Sequence, residues 1–432
     1  MRELRELIAR NLAGSGEAMP SICSAHPDVL AAAMLLAKEA GVPLLVEATS
    51  NQVNQFGGYT GMNPAGFIAF VNAIRARVGA TEATVLFGGD HLGPQVWRAQ
   101  PADQAMAMAR DLVAAFVDAG FTKIHLDCSE GCSGEPAQVA DAVSAARSAE
   151  LAAICEATAH DPDAITYVFG TEVPPPGGAR AEEGPHKVLP TTPESARATV
   201  AVHRQAFAAH GLAHSAWPRA VGLVVQPGLE FAPDRIKPFD ADAPDRLSAV
   251  LDAHPGLSFE AHSTDYQVPN VFPALARRHF VVLKVGPALT NAYRQAIFAL
   301  DAITAWVAPT FQRVSVTSTM EALMLESPSH WTRHYTGDIA ETHLLRHFSY
   351  ADRIRYYWQQ PPAVEAVGRL LSALSTRKLP QPILEQYFAS PVIERANTLL
   401  AKGFGEDLSR ALIYAQIQTA LLPYFACYGA QG

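Results

Sequence analysis

Short apolar runs along roughly the first 290 residues end, one after another, in side chains that can hold a proton, a metal or a sugar hydroxyl. The endings are Ser24-Ala25-His26, then Glu47 through Gln52, then Gly89-Asp90-His91 and His125-Leu126-Asp127-Cys128-Ser129. Further on come Gly170-Thr171-Glu172, Gln226-Pro227-Gly228, Glu260 through Asp265, and Lys284-Val285-Gly286. Singly, each has an ordinary reading: a carboxylate after a strand caps the following helix, and a lone His is often structural. Brought to one rim, Glu47, Asp90, His91, Asp127, Glu172 and His262 are a different matter. Buried carboxylates repel one another unless a cation or a substrate sits among them. Two imidazoles beside a carboxylate suit a divalent ion such as zinc.

A common rim requires elements that put these endings on one side. Eight apolar runs read as strands: Met19–Ser24, Pro43–Ala48, Ala83–Gly88, Thr122–Asp127, Ala164–Gly170, Ala220–Gln226, Leu257–Ala261 and Phe280–Val285. They are short and rich in Val, Ile and Leu, as strands covered on both faces should be. Helical patterns lie between them. Asp28–Ala40 stops before Gly41, Pro101–Ala119 before Gly120, and Thr192–His210 before Gly211; Pro269–Arg278 follows the seventh run. Alternation of this kind predicts an α/β fold, a (β/α)8 barrel whose active site lies at the C-terminal ends of the strands. A doubly wound sheet would need a Gly-rich first turn, and Gly14-Ser15-Gly16 opens no helix. Past Asn291 the strand signals fade, and Tyr293–Val307, Pro362–Leu374, Pro391–Lys402 and Asp407–Leu421 read as helices. The expected division is a barrel over 1–300 and a helical C-terminal extension over 301–432 that caps the barrel or builds a homo-oligomer interface.

Composition narrows the class. The chain has 432 residues, 49% of them hydrophobic and 17% charged, which is ample for a core and argues against disorder. A net charge of −9 disfavours a nucleic-acid partner. The five cysteines are too few and scattered for a disulfide framework, and Cys128 with Cys132 reads as packed thiols. Apolar runs are broken by charge or Pro, so no membrane span is expected, and Met-Arg-Glu-Leu-Arg-Glu starts a helix rather than a signal peptide. The expectation is a cytoplasmic enzyme. Gly57 through Gly61 reads equally as a lid or a turn, Pro174 through Gly178 as a stiff loop beside Glu172, and Tyr356-Tyr357-Trp358, an exposed-looking aromatic cluster, as packing against the barrel first and an interface second.

Long motifs then tie the chain to a known family. Cys23-Ser24-Ala25-His26-Pro27, Glu47 through Gly61, Gly88 through Pro94 and His125 through Ser129 resemble the GatZ/KbaZ-type family, accessory subunits of tagatose-1,6-bisphosphate aldolase. So do Gly170 through Pro174, Val224 through Gly228, Glu260 through Gln267 and Leu283 through Thr290, so that the resemblance covers nearly the whole chain. That family is similar to the class II, zinc-dependent aldolases. The resemblance implies that His91 and His262 bind metal, that Asp90 handles a substrate proton, and that Asp127 and Glu172 are the remaining catalytic carboxylates. It implies a phosphate contact at Ser263 and Thr264. Two departures stand out. Gln226 occupies the place of a ligand His, so either Glu172 completes the metal site or Gln226 binds weakly. Gly286-Pro287-Ala288-Leu289 replaces an Asn-x-x-Thr phosphate contact. Glu47, Asn51, Gln52, Ser129, Gly228 and Lys284 are the further groups expected to touch substrate. The implied activity is metal-dependent C4 epimerisation of a ketohexose phosphate, D-tagatose 6-phosphate to D-fructose 6-phosphate, by retro-aldol and aldol steps. The alternative is a non-catalytic subunit that stabilises a class II aldolase partner. Kinase activity is disfavoured, because the chain has no phosphate-cradling Gly-rich loop with its Lys.

Overall fold

The structure, a computed structural model, describes residues 2–171, 188–308 and 315–428. Eight parallel strands close into a barrel: β1 (Met19–Ile22), β2 (Leu44–Thr49), β3 (Val85–Leu92), β4 (Lys123–Leu126), β5 (Thr166–Phe169), β6 (Ala220–Val224), β7 (Ser258–Ala261) and β8 (Phe280–Val285). Each pairs with its sequence neighbours, and β8 closes on β1 with Ser21 beside Lys284. The expected eight strands and the intervening helices are all present. A short antiparallel hairpin, Glu230–Phe231 with Ile236–Lys237, was not anticipated; two-residue strands leave too little pattern to read.

Helix boundaries follow local chemistry. Helix Pro27–Ala40 starts with Pro in its first turn and His26 Nδ1 accepting from Asp28 N–H at 3.3 Å, and it ends on Gly41 at φ 66°. Helix Pro193–Ala209 is capped by the Thr192 hydroxyl.

Side chains two apart on a strand share a face, and this period sorts the barrel interior into layers. At the bottom, Met19, Leu45, Leu86, Val221 and Val282 cluster with Leu4, Leu7 and Ile8 of helix Arg2–Arg10, which plugs that end. One step up are Glu47, Gly88, Lys123, Glu260 and Lys284, and another step up are Asp90, His125 and His262. Gly88 is required in the middle layer, because a Cβ there would lie 2.7 Å from Glu47 Cγ. An apolar floor, a charged middle and a polar mouth thus come from one alternation read along each strand.

Past β8, helix Pro287–Val307 runs through the expected boundary at residue 300, and the chain continues in helices Val316–Glu326, Ile339–Phe348, Pro361–Ser375, Gln381–Tyr387, Ser390–Ala401 and Leu408–Phe425. The last of these packs on helix Pro27–Ala40, helix Pro287–Val307 and β1, so barrel and extension share one apolar core. Tyr357 and Trp358 are buried in that core, in line with the packing expected of them, and only Tyr356 is partly open. Among the described residues no helix is long and apolar enough to cross a membrane.

Candidate active site

The mouth of the barrel opens into a crevice of about 910 Å³ in contact with solvent. Asp90, His91, His262 and Lys284 line its floor; Asn51, Gln52 and Tyr59 line one wall, with Ser263 and Gly286 elsewhere in the lining. Arg355, Tyr356 and Gln359 reach in from the extension.

Strand periodicity alone would send Asp90 and His91 to opposite faces. The structure brings both to the mouth. His91 has φ 49°, an unusual value for a residue with a side chain, and the β3–β4 register shifts between Gly89 and Leu92. Ser263, next to His262, is also left-handed at φ 55°. Strained backbone at two strand ends that face one crevice is a common mark of a working site.

Three imidazoles form a triangle. The ring centroids of His91, His125 and His262 lie 5.0, 5.1 and 5.2 Å apart. His91 Nδ1 is 2.7 Å from Asp127 Oδ2, and Asp127 Oδ1 accepts from the Ser129 hydroxyl at 2.6 Å. Asp127 and Ser129 thus sit behind His91 and fix its ring. His125 Nδ1 is 2.8 Å from Asp90 Oδ1 and 3.1 Å from the His91 backbone N–H. His125 Nε2 is buried and has no hydrogen-bond partner among the described residues. His262 Nε2 is 3.1 Å from Glu260 Oε1.

Beneath the imidazoles is a closed charge network. Lys123 Nζ is 2.5 Å from Glu47 Oε1 and 2.7 Å from Glu260 Oε2, and all three side chains are essentially fully buried. These are ion pairs by distance without the alignment of good hydrogen bonds. Lys284 Nζ is 3.1 Å from Glu47 Oε2, 3.0 Å from Glu260 Oε1, and in contact with Asp90 Oδ1. Two lysines therefore answer much of the carboxylate repulsion expected from sequence.

Burial pushes the Asp90 carboxyl upward, but His91, Lys284 and His125 outweigh it and hold Asp90 well below the usual range. Burial lowers His91, yet Asp90 and Asp127 prevail and raise it. Burial, joined by the Lys284 charge, lowers His125 and takes His262 down to about 3. Neutral His125 and His262 are the form that ligates a metal.

Donor atoms of Asp90, His125, Glu260 and His262 all lie within 4.8 Å of one another. The unpartnered Nε2 of His125 and the imidazole triangle fit a divalent ion of the zinc type, with Asp127 orienting His91 as an outer carboxylate does in such sites.

The other expected site residues fall in different places. Gln226 Oε1 accepts from Gly228 N–H at 2.7 Å, so its side chain is folded on its own turn, and neither residue lines the crevice. Thr264 is fully buried and donates to Lys284 O at 2.6 Å, which leaves Ser263 as the member of the pair in the crevice. Glu47 is in the buried charge layer rather than at the rim. Glu172 and the Pro174–Gly178 loop lie outside the described residues. His125 and Glu260 were named among the strand endings but given no role, and Lys123 was not named. Their signal was there: His125 is two residues before Asp127, Glu260 two before His262, and Lys123 two before His125.

The family model described as "D-tagatose-1,6-bisphosphate aldolase subunit GatZ/KbaZ-like" matches residues 4–428. A protein from Agrobacterium fabrum strain C58 named D-tagatose 6-phosphate 4-epimerase is 46% identical over 429 residues, covering 99% of this chain and 98% of that one. A crystal structure from Sinorhizobium meliloti 1021, described as a probable tagatose 6 phosphate kinase, aligns with TM-score 0.85 and 43% identity over 95% of this chain and 100% of the other.

Proposed function

As the chain belongs to the GatZ/KbaZ-like family, we propose that it is a metal-dependent sugar-phosphate 4-epimerase that interconverts D-tagatose 6-phosphate and D-fructose 6-phosphate. The observation that carries this reading is the triangle of His91, His125 and His262 over Asp90 and Lys284 at the mouth of the barrel. The Agrobacterium relative's name supplies the substrate class.

The residues proposed to hold the ion are His91, His125 and His262, with Asp90 or Glu260. When bound, a zinc-type ion would withdraw electron density from the C2 carbonyl and C3 hydroxyl oxygens and so favour the enediolate. Asp90, at the crevice floor, accepts the C4 hydroxyl proton, and His125 holds its carboxylate in position. The C3–C4 bond breaks, and its electron pair passes to the C2 oxygen. The fragments are a dihydroxyacetone enediolate and glyceraldehyde 3-phosphate. The aldehyde turns over, C3 re-adds to its other face, and the new C4 alkoxide takes a proton from a second acid. Glu172 is our candidate for that acid on sequence grounds. Lys284, raised well above its ordinary value once Asp90, Glu260 and Glu47 outweigh burial, keeps a fixed positive charge beside the reacting oxygens. Asp127 keeps His91 oriented.

A kinase reading, which the description of the Sinorhizobium structure suggests, is disfavoured because the chain has no Gly-x-x-x-x-Gly-Lys-Ser/Thr segment. The mechanism has a direct test in D2O. Retro-aldol cleavage leaves the C4–H bond intact, so product formed from D-tagatose 6-phosphate should carry no deuterium at C4 by NMR. Deuterium at C4 would point to carbanion chemistry at that carbon and reject the retro-aldol route.

A further inference from the structure

We propose that the C-terminal extension supplies the phosphate subsite of this crevice, and that Arg355 grips the single phosphate monoester of the substrate. The inference rests on the sugar-phosphate reading of the site and adds the residue that recognises the phosphate.

Arg355 lines the crevice beside Gln52 and Tyr59. Its guanidinium is anchored from behind: it donates to the carbonyls of Ala351 and Asp352 and, at 3.1 Å, to the Tyr356 hydroxyl. Nε has no bond to another described residue. Tyr356 is flanked by a second guanidinium, with Arg353 Cζ 4.5 Å and Arg355 Cζ 4.6 Å from its ring centroid. Tyr59 meets the same ring edge-on at 4.7 Å.

What sets this corner apart is its charge. Arg219, Arg294 and Arg346 are each paired with a carboxylate, Glu156, Asp352 and Glu321. Among the described residues no carboxylate oxygen lies within 4 Å of Arg353 or Arg355. The Asp352 and Asp265 carboxylates act on Arg355 only from beyond contact distance, and two sheltered guanidiniums so weakly compensated are costly unless an anion joins them. A phosphate monoester, a dianion with three acceptor oxygens, matches the planar fork of Arg and the adjacent hydroxyls. Burial opposes ionisation of Tyr356, yet Arg353 and Arg355 prevail and lower it, which registers the same positive field.

Among the described residues the crevice offers one such corner. At the start of helix Pro287–Val307, where a second phosphate would find backbone N–H groups, Asp265 Oδ1 already accepts from Gly286 N–H at 3.0 Å and Ala288 N–H at 2.8 Å. A carboxylate in that place repels a further anion. The structure therefore assigns the site to monophosphates over bisphosphates.

The test is equilibrium binding by calorimetry, with D-fructose 6-phosphate, D-fructose and D-fructose 1,6-bisphosphate as probes of the full chain. Wild type should prefer the 6-phosphate to the free sugar and gain nothing from the second phosphate. Arg355→Gln should cut the preference for 6-phosphate over free sugar by about 10- to 100-fold, the range of a lost charged hydrogen-bond pair. Arg355→Lys should lose less, and thermal melts establish that both variants are folded. An unchanged preference in folded Arg355→Gln or Arg355→Lys would overturn the assignment. So would a wild type that binds the bisphosphate ten times more tightly, or does not bind the 6-phosphate at all. Because binding is read without turnover, a chain that lacks epimerase activity but shows the Arg355-dependent preference would reject the catalytic reading and leave the subsite standing.

Discussion

Removing one imidazole tests the ion-binding account most simply. His125→Ala should lower bound zinc after dialysis by more than about 10-fold, the smaller loss typical of outer-shell changes. Gln226→Ala should leave the metal content unchanged, because that side chain is folded on Gly228 N–H. Elemental analysis decides; retention of zinc in the first variant and loss in the second would place the site elsewhere. Lys123 tests the charged layer beneath. Lys123→Met leaves Glu47 and Glu260 to share Lys284 alone, and the fully buried, weakened network should unfold about 3–5 kcal/mol more easily in urea. At this scale the sequence was legible in part. Asp90, His91, His262 and Lys284 were readable because strand ends at a barrel mouth converge. His125 and Glu260 were seen only as parts of strand endings and given no role, and Lys123 was not named, although each is two residues from a neighbour already in view. Gln226 misled because its position says nothing of where its amide turns. Arg355 and Tyr356 reach the crevice from more than 60 residues beyond the last strand, and no local pattern announces that.

The elements were easier to read than their ends. All eight strands are recoverable from short Val-, Ile- and Leu-rich runs, because a parallel barrel covers both faces of each strand. β3 runs on to Leu92, past the expected Gly88, because β2 pairs with it as far as Thr49 beside Asp90. Helices Val316–Glu326, Ile339–Phe348 and Gln381–Tyr387 were missed; they are short, and much of their helical stability comes from packing. The Gly57–Gly61 segment is a turn that places Tyr59 in the crevice. Gly58 has φ 56°, and a Cβ there would lie 2.4 Å from Gln52 O. Gly58→Ala should therefore lose about 1–3 kcal/mol of stability and displace Tyr59. Thermal unfolding of the variant at the wild-type temperature would contradict this.

Across the molecule, barrel and extension behave as one core with charged fasteners at its edge. Glu39 of helix Pro27–Ala40 pairs with Arg395 and Lys402 of the extension, and these partners, led by Arg395, lower its carboxyl to about 2. The folded value lies below the ordinary 4.5, so this contribution is present above pH 4.5 and is lost as pH falls towards 2. It should amount to at most about 1 kcal/mol for a pair at the surface. Wild type and Glu39→Gln should differ in Tm at pH 6 and converge near pH 2; a constant gap would remove the linkage. The fold class was legible from alternation, but the joining of the extension to the crevice was not, since it depends on contacts distant in sequence.

We propose that this chain, alone, epimerises a ketohexose monophosphate with a bound divalent ion. The measurement is to incubate the purified chain with D-tagatose 6-phosphate and follow the sugar by carbon NMR, once with zinc and once with a chelator. D-Fructose 6-phosphate should form with zinc and should not form with the chelator. No conversion in either sample would contradict this proposal and turn the search to a partner aldolase subunit.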